Sequence, residues 1–209
     1  MNILLICNDY YHPGKVVSEG LAFLRGEGHT LEEQDDAAAI KADAFKRKEY
    51  DVIVLSKSDE ISAENRQKWE TPELQRAFTE YVENGGGLFA IHSGLVGDAS
   101  TQKLRTLIGS RFTHHPEQCP VTVCSTKAHP ITEGVSEFVE IDEHYFIEML
   151  IDDADVLMHS QSRHGRDIAC YIRTQGKGRI CAFTPGHNPW VWQNPAVRQL
   201  VRNTLQWLK

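Results

Sequence analysis

Short, continuous apolar runs constrain this chain more than any other feature of it. "NILLIC" (2 to 7) and "DVIVLS" (51 to 56) are rich in branched residues and show no polar alternation. That is the pattern of strands covered on both faces, as in a parallel sheet flanked by helices. Residues 16 to 26 place Val17, Leu21 and Leu24 on one helical face between them, which makes a β-α-β start. A second helix is marked by Thr71 as its cap, Pro72 in its first turn, a stripe of Leu74, Phe78, Tyr81 and Val82, and "GGG" at 85 to 87 as its stop. A strand at 88 to 92 follows at once. "GRICAFTPG" (178 to 186) reads as another strand, and residues 195 to 208 as a closing helix with Val197, Leu200, Val201 and Leu205 inward. The stretch 119 to 175 is more mixed; "PVTVCS", "ADVLMHS" and "IACYIRT" read as strands that extend the sheet with antiparallel edges. Such alternation predicts a doubly wound α/β sheet, whose ligands bind beyond the carboxyl ends of the strands.

The 209 residues suffice for one core, and the chain is read as a single domain over 1 to 209. A net charge of −7 without a basic stripe argues against nucleic acid, "KRK" (46 to 48) being read as a solvated helix end. No apolar run approaches the roughly 20 residues of a membrane span. "MNILLICNDY" resembles a first strand rather than a signal peptide, so the expected location is the cytoplasm. The five cysteines, several within strand-like runs and none in a C-x-x-C pair, suit buried reduced thiols there.

Candidate chemistry gathers on a few of the ten histidines. His29, His129, His159 and His164 are read as loop, turn or edge-strand residues. His92 ends a buried strand and is followed by Ser93 and Gly94; Gly94 permits a tight turn, and a helix beginning after it would present backbone N–H groups to an anion. His187 follows Pro185 and Gly186 at the end of another strand, with Trp190 and Trp192 nearby. Indole faces suit the apolar face of a sugar ring, although Trp192 is expected to pack the last helix. In "FTHHPE" (112 to 117), adjacent side chains of an extended segment face opposite ways, so one imidazole enters a given pocket, and His115 is favoured. Alternation in "DEHYF" (142 to 146) puts Glu143 and Tyr145 on one side and Asp142, His144 and Phe146 on the other. His12, in the loop after the first strand, lies at the same edge of the sheet. No H-E-x-x-H or regular His/Cys spacing is present and no cofactor is required by the sequence, but a divalent metal such as zinc would fit if His92, His115 and His187 met in space. Ser93 lacks the G-x-S-x-G frame of a nucleophile elbow. Residues 57 to 70 fit no element and are read as a lid or surface loop.

Together "YVENGGGLFAIHSG", "FTHHPE", "HPITEG", "DEHYF" and "GKGRICAFTPGHNPWVWQNP" with "LVRNTLQWL" resemble the ThuA-like family, named for trehalose utilisation, over nearly the whole chain. The resemblance implies a flavodoxin-like three-layer α/β sandwich with a mostly parallel sheet, of the class I glutamine amidotransferase-like type. In the amidotransferases the nucleophile strand reads like I-C-x-G; here it reads Ile91-His92-Ser93-Gly94, so His92 stands where the thiol would be and His187 resembles the partner histidine. Glutamine hydrolysis through an acyl-enzyme is therefore not expected. The family's shared positions fall on His92, His115, Glu143, Tyr145 and His187.

These readings converge on an enzyme of carbohydrate metabolism, a sugar hydrolase or isomerase acting on trehalose, a related disaccharide or a keto-sugar. His92, Glu143 and His187 are its expected catalytic residues, by acid-base or metal-assisted chemistry; His12, His115, Tyr145 and Trp190 are its expected substrate contacts. The alternative is a non-catalytic sugar-binding or regulatory member. A homodimer is the expected assembly.

Overall fold

A computed structural model describes residues 1 to 36, 39 to 46, 49 to 61 and 65 to 209. Its main sheet has nine strands in the order β2-β1-β3-β4-β11-β10-β9-β6-β7. The strands are β1 (Asn2–Cys7), β2 (Thr30–Gln34), β3 (Val52–Ser56), β4 (Gly87–Ile91), β5 (Ser110–His114), β6 (Cys119–Ser125), β7 (Phe138–Asp142), β8 (Phe146–Met149), β9 (Asp155–Ser162), β10 (Gly165–Gln175) and β11 (Gly178–Phe183). From β2 to β11 every neighbouring pair is parallel; from β11 to β7 every pair is antiparallel. β5 and β8 form a separate antiparallel ribbon.

The continuous apolar runs become the central strands because both of their faces are covered. Ile3, Leu5, Val54, Phe89, Ile91 and Phe183 face one core, whereas Leu4, Ile6, Ile53, Leu55, Leu88 and Ala182 face the other. The first core is closed by α1 (Gly14–Leu21), α2 (Phe23–Gly26), α6 (Pro189–Gln193) and α7 (Pro195–Leu208), through Leu21, Leu24, Trp192, Leu200 and Leu205. The second is closed by α3 (Ala42–Lys46), α4 (Pro72–Glu83) and α5 (Gln102–Ile108), through Phe45, Phe78, Leu104 and Ile108. Among the described residues no helix is long and apolar enough to cross a membrane.

The structure redraws several boundaries. The helix expected over 16 to 26 is divided at Ala22 into α1 and α2. The strand expected to include His92 stops at Ile91, and the one read over 178 to 186 stops at Phe183. No helix starts directly after Gly94: residues His92–Leu95 form a 3₁₀ turn, and α5 begins only at Gln102. Thr71 caps α4 as expected, its hydroxyl accepting from the Leu74 N–H at 3.3 Å. Of "KRK", Arg47 and Lys48 lie outside the described residues, as do 62 to 64 within the segment read as a lid. All five cysteines are unpaired, and only Cys124 is not fully buried.

Trp192 anchors the closing helices. Its ring is buried, its indole N–H donates to the Gly186 carbonyl at 2.9 Å, and it lies so close to α1 that a Cβ at Gly20 would come within 2.5 Å of it. Trp192→Ala is expected to cost about 3–5 kcal/mol, the usual range for emptying a large aromatic site. A urea midpoint close to wild type would show that the site collapses around the loss.

Candidate functional site

The parallel strands β1, β3, β4 and β11 all end on one edge of the sheet, and the loops leaving that edge carry the chemistry. His12 follows β1, His92 follows β4 immediately and His187 comes shortly after β11. Glu143 and Tyr145 lie in the connection between β7 and β8, and His115 follows β5. The backbone at His92 has φ +46°, a left-handed conformation that costs a residue with a Cβ about 1 kcal/mol or more. That turn swings the imidazole across the end of the sheet.

Glu143 is the centre of the cluster. Its Oε2 lies 3.1 Å from His187 Nδ1, 3.3 Å from His92 Nε2, 3.6 Å from His115 Nε2 and 3.8 Å from His12 Nε2. The outer nitrogens are tied to acceptors. His92 Nδ1 donates to the Thr184 carbonyl at 2.8 Å, His12 Nδ1 to Asp9 Oδ1 at 2.7 Å, and His115 Nδ1 to the Pro116 carbonyl at 2.8 Å. A carbonyl or carboxylate only accepts, so each of these rings donates from Nδ1 and turns its Nε2 toward Glu143. Asp9 is itself held in place: it accepts from the Tyr11 and His12 N–H groups and from the Ser58 N–H. Asp142 accepts from the Gly186 and His187 N–H groups at 2.8 and 3.1 Å, which fixes the loop that aims His187.

Burial and charge push these groups apart. Burial drives His92 down to about 4. His12 is also penalised by burial, but its bond to Asp9 and the nearby Glu143 outweigh this and raise it to about 9. Glu143 is held well below the usual carboxylate range because the surrounding imidazoles, led by His12 and His187, overcome its own burial. Asp9 is lowered to about 2, its contacts with His12 prevailing over burial, whereas burial lifts Asp142 to about 7. One edge of one sheet thus holds an anion, a cation-prone imidazole and a neutral imidazole within contact distance.

A cavity of about 500 Å³ opens onto this cluster. Tyr11, Phe112 and Tyr145 supply aromatic surface, and His12, His115 and Glu143 form its floor. Tyr145 stacks on His92 with ring centroids 3.9 Å apart and packs on Phe112 at 4.3 Å; its hydroxyl lies 3.3 Å from His12 Nε2. The described part of segment 57 to 70 makes the opposite wall, through Ser58, Asp59, Glu60, Arg66 and Lys68. Lys68 donates to buried Asp59 at 2.8 Å and lies 3.3 Å from Asp98, while Arg66 pairs with Glu60 at 3.0 Å.

The model of the ThuA family, described as trehalose utilisation, matches residues 10 to 208. The chain belongs to the ThuA family. No curated protein matches the sequence. Among solved structures, a ThuA-like protein from Bacteroides uniformis is 19% identical with a TM-score of 0.80, the match covering 100% of this chain and 91% of that one. A cytoplasmic protein from Salmonella typhimurium is 20% identical with a TM-score of 0.70, over 100% and 99% of the two chains. A β-galactosidase from Rahnella sp. R3 is 13% identical with a TM-score of 0.68, over 99% of this chain but only 31% of the enzyme. At such identities these likenesses speak for the shared α/β fold.

In this ThuA-family chain His12, His92, His115, Glu143, Tyr145 and His187 all meet at one point. Trp190 does not join them: it is 44% exposed, its indole N–H donates to the Ile141 carbonyl at 2.6 Å, and it is absent from the cavity lining. His144 faces away, its ring nitrogens at 2.7 and 3.0 Å from the Ser162 and Ser160 hydroxyls. His114 stacks on Phe146, opposite in direction to His115. Sequence reading missed Asp9, Phe112 and the wall formed by Asp59 and Lys68. Asp9 had a local signal, a carboxylate three residues before His12; the others had none, because what they face is set by distant loops.

Proposed function

We propose that this ThuA-family protein is an enzyme of carbohydrate metabolism, a hydrolase or isomerase acting in the cytoplasm on trehalose, a related disaccharide or a keto-sugar. The observation that supports this most is the cavity of about 500 Å³ ending on the Glu143 cluster, since roughly 300–1,000 Å³ is the usual size of a small-ligand site. Aromatic faces at Tyr11 and Phe112 suit the apolar side of a sugar ring, and the paired charges at Asp59, Lys68 and Asp98 suit its hydroxyls. Lys68 and Arg66 are already matched by carboxylates. The cavity therefore favours neutral polyols over phosphorylated ones.

Glu143 would take a proton from, or stabilise positive charge on, the reacting carbon or hydroxyl, and Tyr145 and His115 would orient the neighbouring oxygens. His12 and His92, separated so widely in proton affinity, supply an acid and a neutral partner. A homodimer remains our expectation for its assembly, as the commonest symmetric state.

The test is turnover of trehalose and of a keto derivative of it by wild type, His92→Ala and His187→Ala. An enzyme loses about 10²–10⁴-fold in kcat with a modest change in sugar affinity. Absence of turnover by wild type together with measurable sugar binding would make the protein a sugar sensor instead.

A further inference from the structure

We propose that His12, His92, Glu143 and His187 form a divalent-metal site, with zinc as the ion to which the three imidazoles and one carboxylate are suited. This deepens the reading of the same pocket as catalytic, but its test needs no sugar, so the two can fail separately.

His92 Nε2 and His187 Nδ1 are buried and have no hydrogen-bond partner; Glu143 Oε2 approaches both at ion-pair distance without hydrogen-bond geometry. His92 is only 1% exposed, so water cannot freely satisfy its ring. Its tautomer is set by the Thr184 carbonyl, which leaves an acceptor facing an acceptor. His12 is likewise held by Asp9 at Nδ1 and turns Nε2 inward, toward Glu143 at 3.8 Å and the Tyr145 hydroxyl at 3.3 Å. Electron-pair donors directed at one another across 3 to 4 Å repel unless something positive lies between them, and a buried unmet polar group costs about 1–3 kcal/mol.

Distances and chemistry then suggest what that positive group is. One donor atom from each of the four residues lies within 4.8 Å of all the others, the one such grouping among the described residues. Four ligands at about 2.0 Å from zinc in a tetrahedron stand about 3.3 Å apart, and the separations from Glu143 Oε2 to the three rings, 3.1, 3.3 and 3.8 Å, bracket that edge. The outer contacts match what metal-bound histidines need: a carboxylate or carbonyl on the far nitrogen orients the ring and raises its basicity. Asp9 and the Thr184 carbonyl fill that role for His12 and His92. In such a position a divalent ion polarises an oxygen or lowers the pKa of water.

Protein stripped with a chelator and titrated with Zn²⁺ in calorimetry is expected to take up about one equivalent and to unfold at a higher temperature when loaded, because the ion binds the folded state. His12→Ala, His187→Ala and Glu143→Ala are each expected to weaken Zn²⁺ by about 100-fold or more, and Asp9→Asn by about 10–100-fold. His164→Ala, an exposed histidine outside the cluster, leaves the affinity unchanged. No Zn²⁺ uptake and no thermal shift in wild type overturns the proposal, and this measurement stands even if a variant fails to fold. Uptake that survives the ligand substitutions, or disappears with His164→Ala alone, overturns the assignment of the ligands. Zn²⁺ bound by a protein that turns over no sugar would keep the metal site and discard the reading as a sugar-processing enzyme.

Discussion

Glu143→Gln is expected to reduce turnover by about 10³-fold while leaving the fold intact. The carboxylate is the one anion at the meeting point of four imidazoles, with His187 at 3.1 Å and His12, the farthest, at 3.8 Å. Exchange for an amide keeps the shape but removes the charge that those rings face. Its loss should be visible on a neighbour as well: part of the rise of His12 to about 9 comes from Glu143, the rest from Asp9. In metal-free protein, the His12 titration followed by NMR should therefore move down toward the ordinary histidine value of 6.5. A variant retaining a tenth or more of wild-type turnover would remove Glu143 from the chemistry. An unmoved His12 titration would assign its shift to Asp9 alone.

Gly94→Ala is expected to destabilise the protein by about 3 kcal/mol or more, toward the upper end of what overpacking costs. A Cβ at residue 94 would lie 2.1 Å from the Leu55 carbonyl oxygen and 2.9 Å from its carbon. These are backbone atoms of β3, fixed in the sheet by pairing with β1 and β4, so they cannot swing aside. The chain must instead move at the turn that places His92. Gly26→Ala is the matched comparison, since nothing lies within 4 Å of its new Cβ; it should change stability by no more than about 1 kcal/mol. Urea midpoints for the two variants decide the point. Similar midpoints would mean that the 92 to 95 turn yields more easily than its packing suggests.

The core strands were readable because their environment is uniform. β1, β3, β4 and β11 are buried on both faces, and so they appear as unbroken apolar runs. β2 was not readable: "TLEEQ" lies at the sheet's edge, and only Leu31 of it is buried. The same holds for β5, β7 and β8, whose mixed residues pair across long separations. The pairing of Glu143 with Tyr145 on one side followed from alternation, and both do face the cluster, although the chain between β7 and β8 is a loop. Trp190 shows the limit of such reasoning. Its indole and its nearness in sequence to His187 suggested a sugar platform, but its N–H is taken by Ile141 at the surface and the cavity's aromatic wall is Tyr11, Phe112 and Tyr145.

What the order of residues determined by itself was the layered α/β plan and the edge on which the histidines stand, because hydrophobic periodicity and strand ends are local properties. Tertiary structure decided which rings meet and which nitrogen each presents. His92 is held by the carbonyl of Thr184 on a neighbouring strand's loop, and His187 is aimed by Asp142. The direction of a lone pair depends on the partner at the ring's far side, and that partner is brought in by folding rather than by adjacency in the chain.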